Sequence, residues 1–145
     1  MDHRTEDIDT ALAHFESRLE WEIDTADLHA NPGAYIVIDA RTPEAFATGH
    51  VPGAINVPHR TITSETASFP KDAVLVTYCD GIGCNASTKA AVKLSRLGYR
   101  VKEMIGGMDW WRRDGLECEG NAFAFVAHAN SKAEALPPHS IACGC

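Results

Sequence analysis

Two uninterrupted apolar runs rich in β-branched residues constrain the fold of this chain most. One covers residues 35–38 and the other residues 74–78, and neither alternates between apolar and polar positions. Runs of this kind are typical of central strands in a parallel sheet, because helices cover both faces of such a sheet. The two runs therefore favour an α/β domain with a largely parallel sheet.

Helical patterns lie between the predicted strands. Thr42 and Pro43 predict the start of one helix, and Gly98 ends another that begins near Ala86. Shorter strands are predicted over residues 21–23, 54–57 and 101–104, and shorter helices over residues 25–30 and 108–113, while residues 60–68 are either helical or irregular. This alternation predicts the α/β fold class, with a mostly parallel central sheet and helices on both faces.

The length of 145 residues fits one domain whose core needs no metal or disulfide. Residues 1–20 are interpreted as a helical extension, because apolar residues recur at helical spacing between residues 7 and 19, namely at Ile8, Leu12, Phe15 and Leu19. Residues 21–120 form the predicted domain. Residues 121–145 change in character and are interpreted as an appendage that ends in a tail.

The charge of the chain excludes some classes of partner. A net charge of -7 disfavours a nucleic-acid binder or an anionic-membrane binder. The sequence shows neither a transmembrane run nor a signal peptide, so we expect a cytoplasmic protein. Nine acidic residues lie within residues 1–30, whereas residues 86–113 are basic. The basic stretch is either a set of solvated helix faces or a source of positive potential for a small anion.

Cys79 is the candidate nucleophile. It follows the second apolar run, and a loop with Gly81 and Gly83 leads from it to the helix near Ala86. Ligands of open α/β sheets bind at such strand ends, where the helix N-terminus favours an anion or a thiolate. We expect the two glycines to let the loop turn its N–H groups inward as a cradle.

Several short motifs together resemble the rhodanese family. They occur in the order of that family between about residues 21 and 120: Val76-Thr77-Tyr78-Cys79, Ser87-Thr88-Lys89-Ala90-Ala91, Asp39-Ala40-Arg41, residues 49–58, Leu97-Gly98-Tyr99 and residues 106–111. The resemblance implies a three-layer rhodanese-like fold and a sulfurtransferase that needs no cofactor or metal. It implies that Cys79 takes sulfur from a small anionic donor such as thiosulfate and passes it, as a persulfide, to cyanide or to a small-molecule or protein thiol. The implied binding loop is Asp80, Gly81, Ile82, Gly83, Cys84 and Asn85.

The loop is about two residues longer than is common in that family, which leaves the substrate open. Cys84 is either a thiol packed between helix and sheet or a resolving thiol for Cys79, and the spacing also permits a regulatory disulfide. Cys143 and Cys145 are open to two interpretations: they have no fixed role, or one of them accepts sulfur from Cys79. Cys118 is interpreted as structural. A zinc site is disfavoured, because the cysteine spacing is unusual and the glycine loop suits an anion.

Two other functions stay open at this point. A cysteine-dependent phosphatase or arsenate reductase on the same scaffold is one alternative, but such enzymes use the motif Cys-x5-Arg. Counted from Cys79, Asn85 stands where this motif has its arginine. A non-catalytic binding module of the same fold usually lacks the loop cysteine.

The remaining conspicuous polar and aromatic residues are given structural roles. We expect Asp39 and Arg41 to form a buried ion pair and His50 to bond loop backbone. Trp110 and Trp111 are interpreted as packing residues, and Lys89 as a solvated helix residue or a charge that supports an anion.

Overall fold

Five parallel strands form one sheet in the computed structural model, which describes residues 2–122. All four pairings between neighbouring strands are parallel, and the order is β1-β5-β4-β2-β3. The bounds are β1 Glu22–Ile23, β2 Ile36–Asp39, β3 Ile55–Asn56, β4 Val74–Tyr78 and β5 Arg100–Met104. The predicted parallel sheet is confirmed.

Five α-helices accompany these strands in the described residues. They are α1 His3–Trp21, α2 Thr25–Ala30, α3 Pro43–Thr48, α4 Ala86–Arg96 and α5 Gly107–Arg113. Helix α3 begins as predicted, because the side chain of Thr42 accepts a hydrogen bond from the amide of Ala45. Short 3-10 turns lie at Pro32–Ala34 and His59–Thr61, so the ambiguous residues 60–68 are largely irregular.

The sheet separates two apolar clusters, which makes three layers. On one face, Ala90 and Leu94 of α4 pack with Leu75 of β4. On the other face, Trp111 of α5 packs with Val76, the next residue of the same strand. Successive strand residues point to opposite faces, so a continuous apolar run is what two covered faces require. The predicted three-layer architecture is confirmed.

The carboxyl ends of β2 and β4 lie side by side, with Asp39 opposite Tyr78. The chain leaves β2 toward β3 on one side and later returns to place β4 on the other side. Ligands of open α/β sheets bind at the carboxyl ends of strands where the direction of winding changes in this way. The fold therefore brings Cys79, the residue after β4, to this position.

Helix α1 covers the region of the predicted helical extension and precedes the sheet in sequence, and none of its residues is buried. Within residues 2–122 no helix is both long and apolar enough to cross a membrane. The predicted appendage at residues 121–145 lies outside the described residues except for Asn121 and Ala122, whose amides donate to the carbonyls of Ala47 and Thr48. Cys143 and Cys145 also lie outside them.

Candidate active site

Cys79 and Cys84 form a disulfide in the loop between β4 and α4. Their Cα atoms are 6.3 Å apart, within the limit of about 7 Å that a disulfide requires. Cys79 is buried among the residues under α4, and Cys84 is half-buried against the same cluster. The two interpretations of Cys84 are therefore compatible: it packs near the helix–sheet interface and it reaches Cys79.

The tip of the loop presents backbone donors. The amide of Cys84 donates to the carbonyl of Gly81 over 3.1 Å and closes a turn. Within the described residues, the N–H groups of Gly81, Ile82 and Gly83 pair with no acceptor. Helix α4 follows at once, and its N-cap residue Asn85 makes no side-chain capping bond. Open amides at a helix N-terminus favour an anion.

The expected role of Gly81 and Gly83 is wrong in one respect. Neither glycine adopts a positive φ, so the turn does not use their conformational freedom. The glycines with positive φ beside the loop are Gly106 and Gly107, at φ 84° and 59°, where α5 begins. A Cβ on Gly107 would lie 2.4 Å from the carbonyl oxygen of Cys79, so only glycine fits there.

Helix α5 holds the base of the loop through its backbone. The amide of Met108 donates to the carbonyl of Cys79 over 2.8 Å, and the amide of Asp109 donates to the carbonyl of Asp80 over 2.7 Å. Gly107 permits this approach because it has no side chain. The contact of α5 with the loop does not follow from sequence periodicity, and the Gly106-Gly107 pair is its one local signal.

A buried ion network fixes Asp80 from the other side. Arg41, only 2% exposed, bonds Asp39 through Nη2 at 2.7 Å and Asp80 through Nη1 at 3.0 Å. Burial alone would lower the pKa of Arg41, but its hydrogen bonds and charge interaction with Asp39 outweigh burial and raise it. The predicted Asp39–Arg41 pair is confirmed, and the structure adds Asp80. The hydroxyl of Tyr78 donates to Asp39, and burial together with that carboxylate raises the pKa of Tyr78.

An open pocket of about 670 Å³ lies over the disulfide loop. Residues 80–84 form one wall, and Asp109, Trp110 and Arg113 of α5 form the other. Arg113 donates to Asp109 over 3.0 Å, and Ile82 at the loop tip is 80% exposed. The pocket therefore combines open amides, a solvent-exposed ion pair and apolar groups beside Cys84, whereas the buried Cys79 is not among its lining residues.

The other conspicuous residues do not line this pocket. His50 is expected to bond loop backbone, but its Nδ1 lies 2.8 Å from the carbonyl of Phe46 in helix α3, and the two rings stack. Trp111 is buried and Lys89 is exposed. Cys118 is a half-buried free thiol, and burial raises its pKa. Among residues 2–122 no cluster of three potential metal-ligating side chains is present.

The site consists of the end of β4, the cysteine loop and the N-terminus of α4. This arrangement is typical of a class of α/β proteins that place a sulfur atom beside open backbone donors. Residues 23–114 match the family of rhodanese-like domains, and the chain belongs to that family. A protein of known structure from Bacillus halodurans superposes with a TM-score of 0.75 at 40% identity, covering 79% of this chain and 87% of that one.

Two curated relatives differ in what their names describe. A sulfurtransferase of Allochromatium vinosum is 35% identical over 99 residues, which are 66% of this chain and 91% of the relative. An HTH-type transcriptional regulator of Mycobacterium tuberculosis is 32% identical over 124 residues, covering 83% of this chain. The match spans only 54% of the regulator's length.

Proposed function

We propose that this protein is a sulfurtransferase that carries sulfur as a persulfide on Cys79. The observation that carries the proposal is the position of Cys79 between β4 and the uncapped N-terminus of α4, beside the open amides of Gly81, Ile82 and Gly83. Family membership and the sulfurtransferase of Allochromatium vinosum support the same reaction class.

The reaction begins with the reduced protein, because Cys79 has no free thiol while it is bonded to Cys84. The Cys79 thiolate attacks the outer sulfur of a donor such as thiosulfate, the sulfur–sulfur bond of the donor breaks, and sulfite leaves with the bonding electrons. The terminal sulfur now on Cys79 is anionic, and loop amides and the α4 N-terminus stabilise it. An acceptor thiol or cyanide then attacks this sulfur and releases the Cys79 thiolate.

Intact-mass measurement after thiosulfate treatment tests the first half-reaction. Protein reduced with a dithiol and freed of reductant under anaerobic conditions should gain about 32 Da, one sulfur atom, on Cys79. Cys79→Ser should gain nothing, while the matched control Cys118→Ser should react as the wild type does. An adduct that persists in Cys79→Ser would show another nucleophile. A reduced wild type that acquires neither the adduct nor the Cys79–Cys84 disulfide, a loss of about 2 Da, would favour a binding module.

Cys84 is proposed as a resolving thiol. Its thiolate attacks the Cys79 sulfur of the persulfide, hydrosulfide leaves, and the Cys79–Cys84 disulfide forms; a dithiol reductant must then supply two electrons to restart the cycle. The attack is intramolecular, because both thiols belong to one loop and their Cα atoms lie 6.3 Å apart in the disulfide. It therefore competes well with dilute external thiols.

The variant Cys84→Ser separates resolution from persulfide formation. We expect the Cys79 persulfide to form at the normal rate and to decay at least about tenfold more slowly without an added acceptor, because the intramolecular thiol is gone. Hydrosulfide release should fall in parallel. Equal decay of wild type and Cys84→Ser would leave Cys84 as a packing residue and would not affect the proposal for Cys79.

A further inference from the structure

Helix α1 exposes an apolar stripe. Four apolar side chains form the stripe, and they recur at intervals of four, three and four residues: Ile8, Leu12, Phe15 and Leu19. Each of them is 55–82% exposed. Such spacing places all four side chains on one face of the helix. A contiguous exposed apolar face of this kind marks a contact surface more often than a solvated one.

An apolar groove of about 800 Å³ runs along the outer face of α4 toward β5. Ala91 and Val92 of α4 line the groove, and Val92 is 45% exposed. The groove follows α4 from Thr88 to Arg96, about 12 Å, and the stripe on α1 extends for about 16 Å at 1.5 Å per helical residue. The two surfaces therefore match in length and in apolar character.

The charges of the two surfaces are complementary. Helix α1 carries five acidic residues and two arginines. The charged residues that line the groove are Arg96, Arg100, Glu103 and Glu22, and Arg18 neutralises Glu22 over 3.2 Å, which leaves two arginines against one acid. Two copies of α1 packed against each other would instead bring like charges together.

The stripe does not occupy the groove of its own chain. Trp21, the last residue of α1, borders the groove, but the four stripe residues lie in solvent. Each chain therefore presents both halves of a complementary contact in one accessible region. A second copy related by a two-fold axis can fill both at once, which is the usual symmetry of a homodimer.

We propose that the protein dimerises by packing α1 of each copy into the α4–β5 groove of the other. Sedimentation velocity of the full chain, with reductant present to exclude intermolecular disulfides, should show a dimer at micromolar concentrations. Phe15→Glu should raise the dimer dissociation constant at least about tenfold, because it places a charge in an apolar contact. Ser17→Glu, on the opposite face of α1, is the matched control and should leave the constant unchanged. A monomeric wild type would overturn the proposal.

The groove variant distinguishes this dimer from one formed by two α1 helices. Val92→Glu should also dissociate the dimer, while circular dichroism and thermal melting confirm that it folds. A mixture of Phe15→Glu and Val92→Glu offers one intact stripe and one intact groove, so it should form heterodimers that neither variant forms alone. A Val92→Glu protein that stays dimeric, or a mixture that stays monomeric, would overturn the proposed contact.

Discussion

Replacing Arg41 with methionine tests how the cysteine loop is anchored. The guanidinium links the end of β2 to the cysteine loop. It donates to Asp39 through Nε and Nη2, to Asp80 through Nη1 and to the carbonyl of Gly49 through Nη2. Methionine has a similar length and fills the space, but it supplies no donor. Arg41→Met therefore leaves two buried carboxylates without their shared cation.

The magnitude follows from burial. Asp39 is fully buried and keeps the Tyr78 hydroxyl at 2.6 Å and the amide of residue 41 at 2.9 Å. Removing one partner of a buried ion pair typically costs about 3–5 kcal/mol. We expect Arg41→Met to lose that much free energy of unfolding and about 10 °C or more of Tm.

Urea unfolding followed by circular dichroism measures the loss. The matched control is Arg113→Met, which breaks the Arg113–Asp109 pair at 3.0 Å, where the side chains are 65% and 36% exposed. An exposed pair is worth less than about 1 kcal/mol, so this variant should stay near the wild type. The double variant Asp39→Asn/Arg41→Met should recover part of the loss. Equal free energies of unfolding for Arg41→Met and Arg113→Met would refute the reasoning.

Three further outcomes are expected. Gly107→Ala should lower the free energy of unfolding by at least about 2 kcal/mol, because its Cβ would collide with the Cys79 carbonyl, whereas Gly83→Ala should melt as the wild type does because no atom lies within 4 Å. In reduced protein, the alkylation rate of Cys118, mapped by mass spectrometry, should still rise above about pH 9, since burial raises its pKa; a plateau below that pH would contradict this. Aryl phosphates should not be hydrolysed, because residues 80–85 contain no arginine, and Cys79-dependent turnover would contradict that expectation.

The elements that position Cys79 could be predicted from the sequence because their signals are local. The apolar run at residues 74–78 coincides with β4, and the helical spacing from Ala86 with Gly98 after it delimits α4 to within a residue. A strand end joined to a helix start by a short loop already determines where Cys79 lies in an α/β fold. The Asp39–Arg41 pair was predictable for the same reason, since the two residues lie two positions apart at the end of β2.

The contacts that hold the loop could not be predicted in this way. Helix α5 reaches Cys79 only because β5 is the neighbour of β4 in the sheet, and periodicity does not give strand order. Asp80 joins Arg41 across 39 positions of sequence. The position of Gly81 and Gly83 between strand and helix predicts that these glycines shape the loop, whereas the backbone needs glycine at Gly107, on the element that packs against the loop.

These contacts divide the loop into a fixed base and a free tip. The carbonyls of Cys79 and Asp80 are bonded to α5, and the Asp80 carboxylate is bonded to Arg41, so the backbone at the base of the loop is held on two sides. At the tip, Ile82 is largely exposed and Gly83 has no atom within 4 Å of the position a Cβ would take. We therefore expect opening of the disulfide to displace Cys84 more than Cys79. If Cys79 carries a persulfide as we propose, the disulfide could be exchanged for it without moving the backbone of Cys79, because α5 and Arg41 hold the base of the loop.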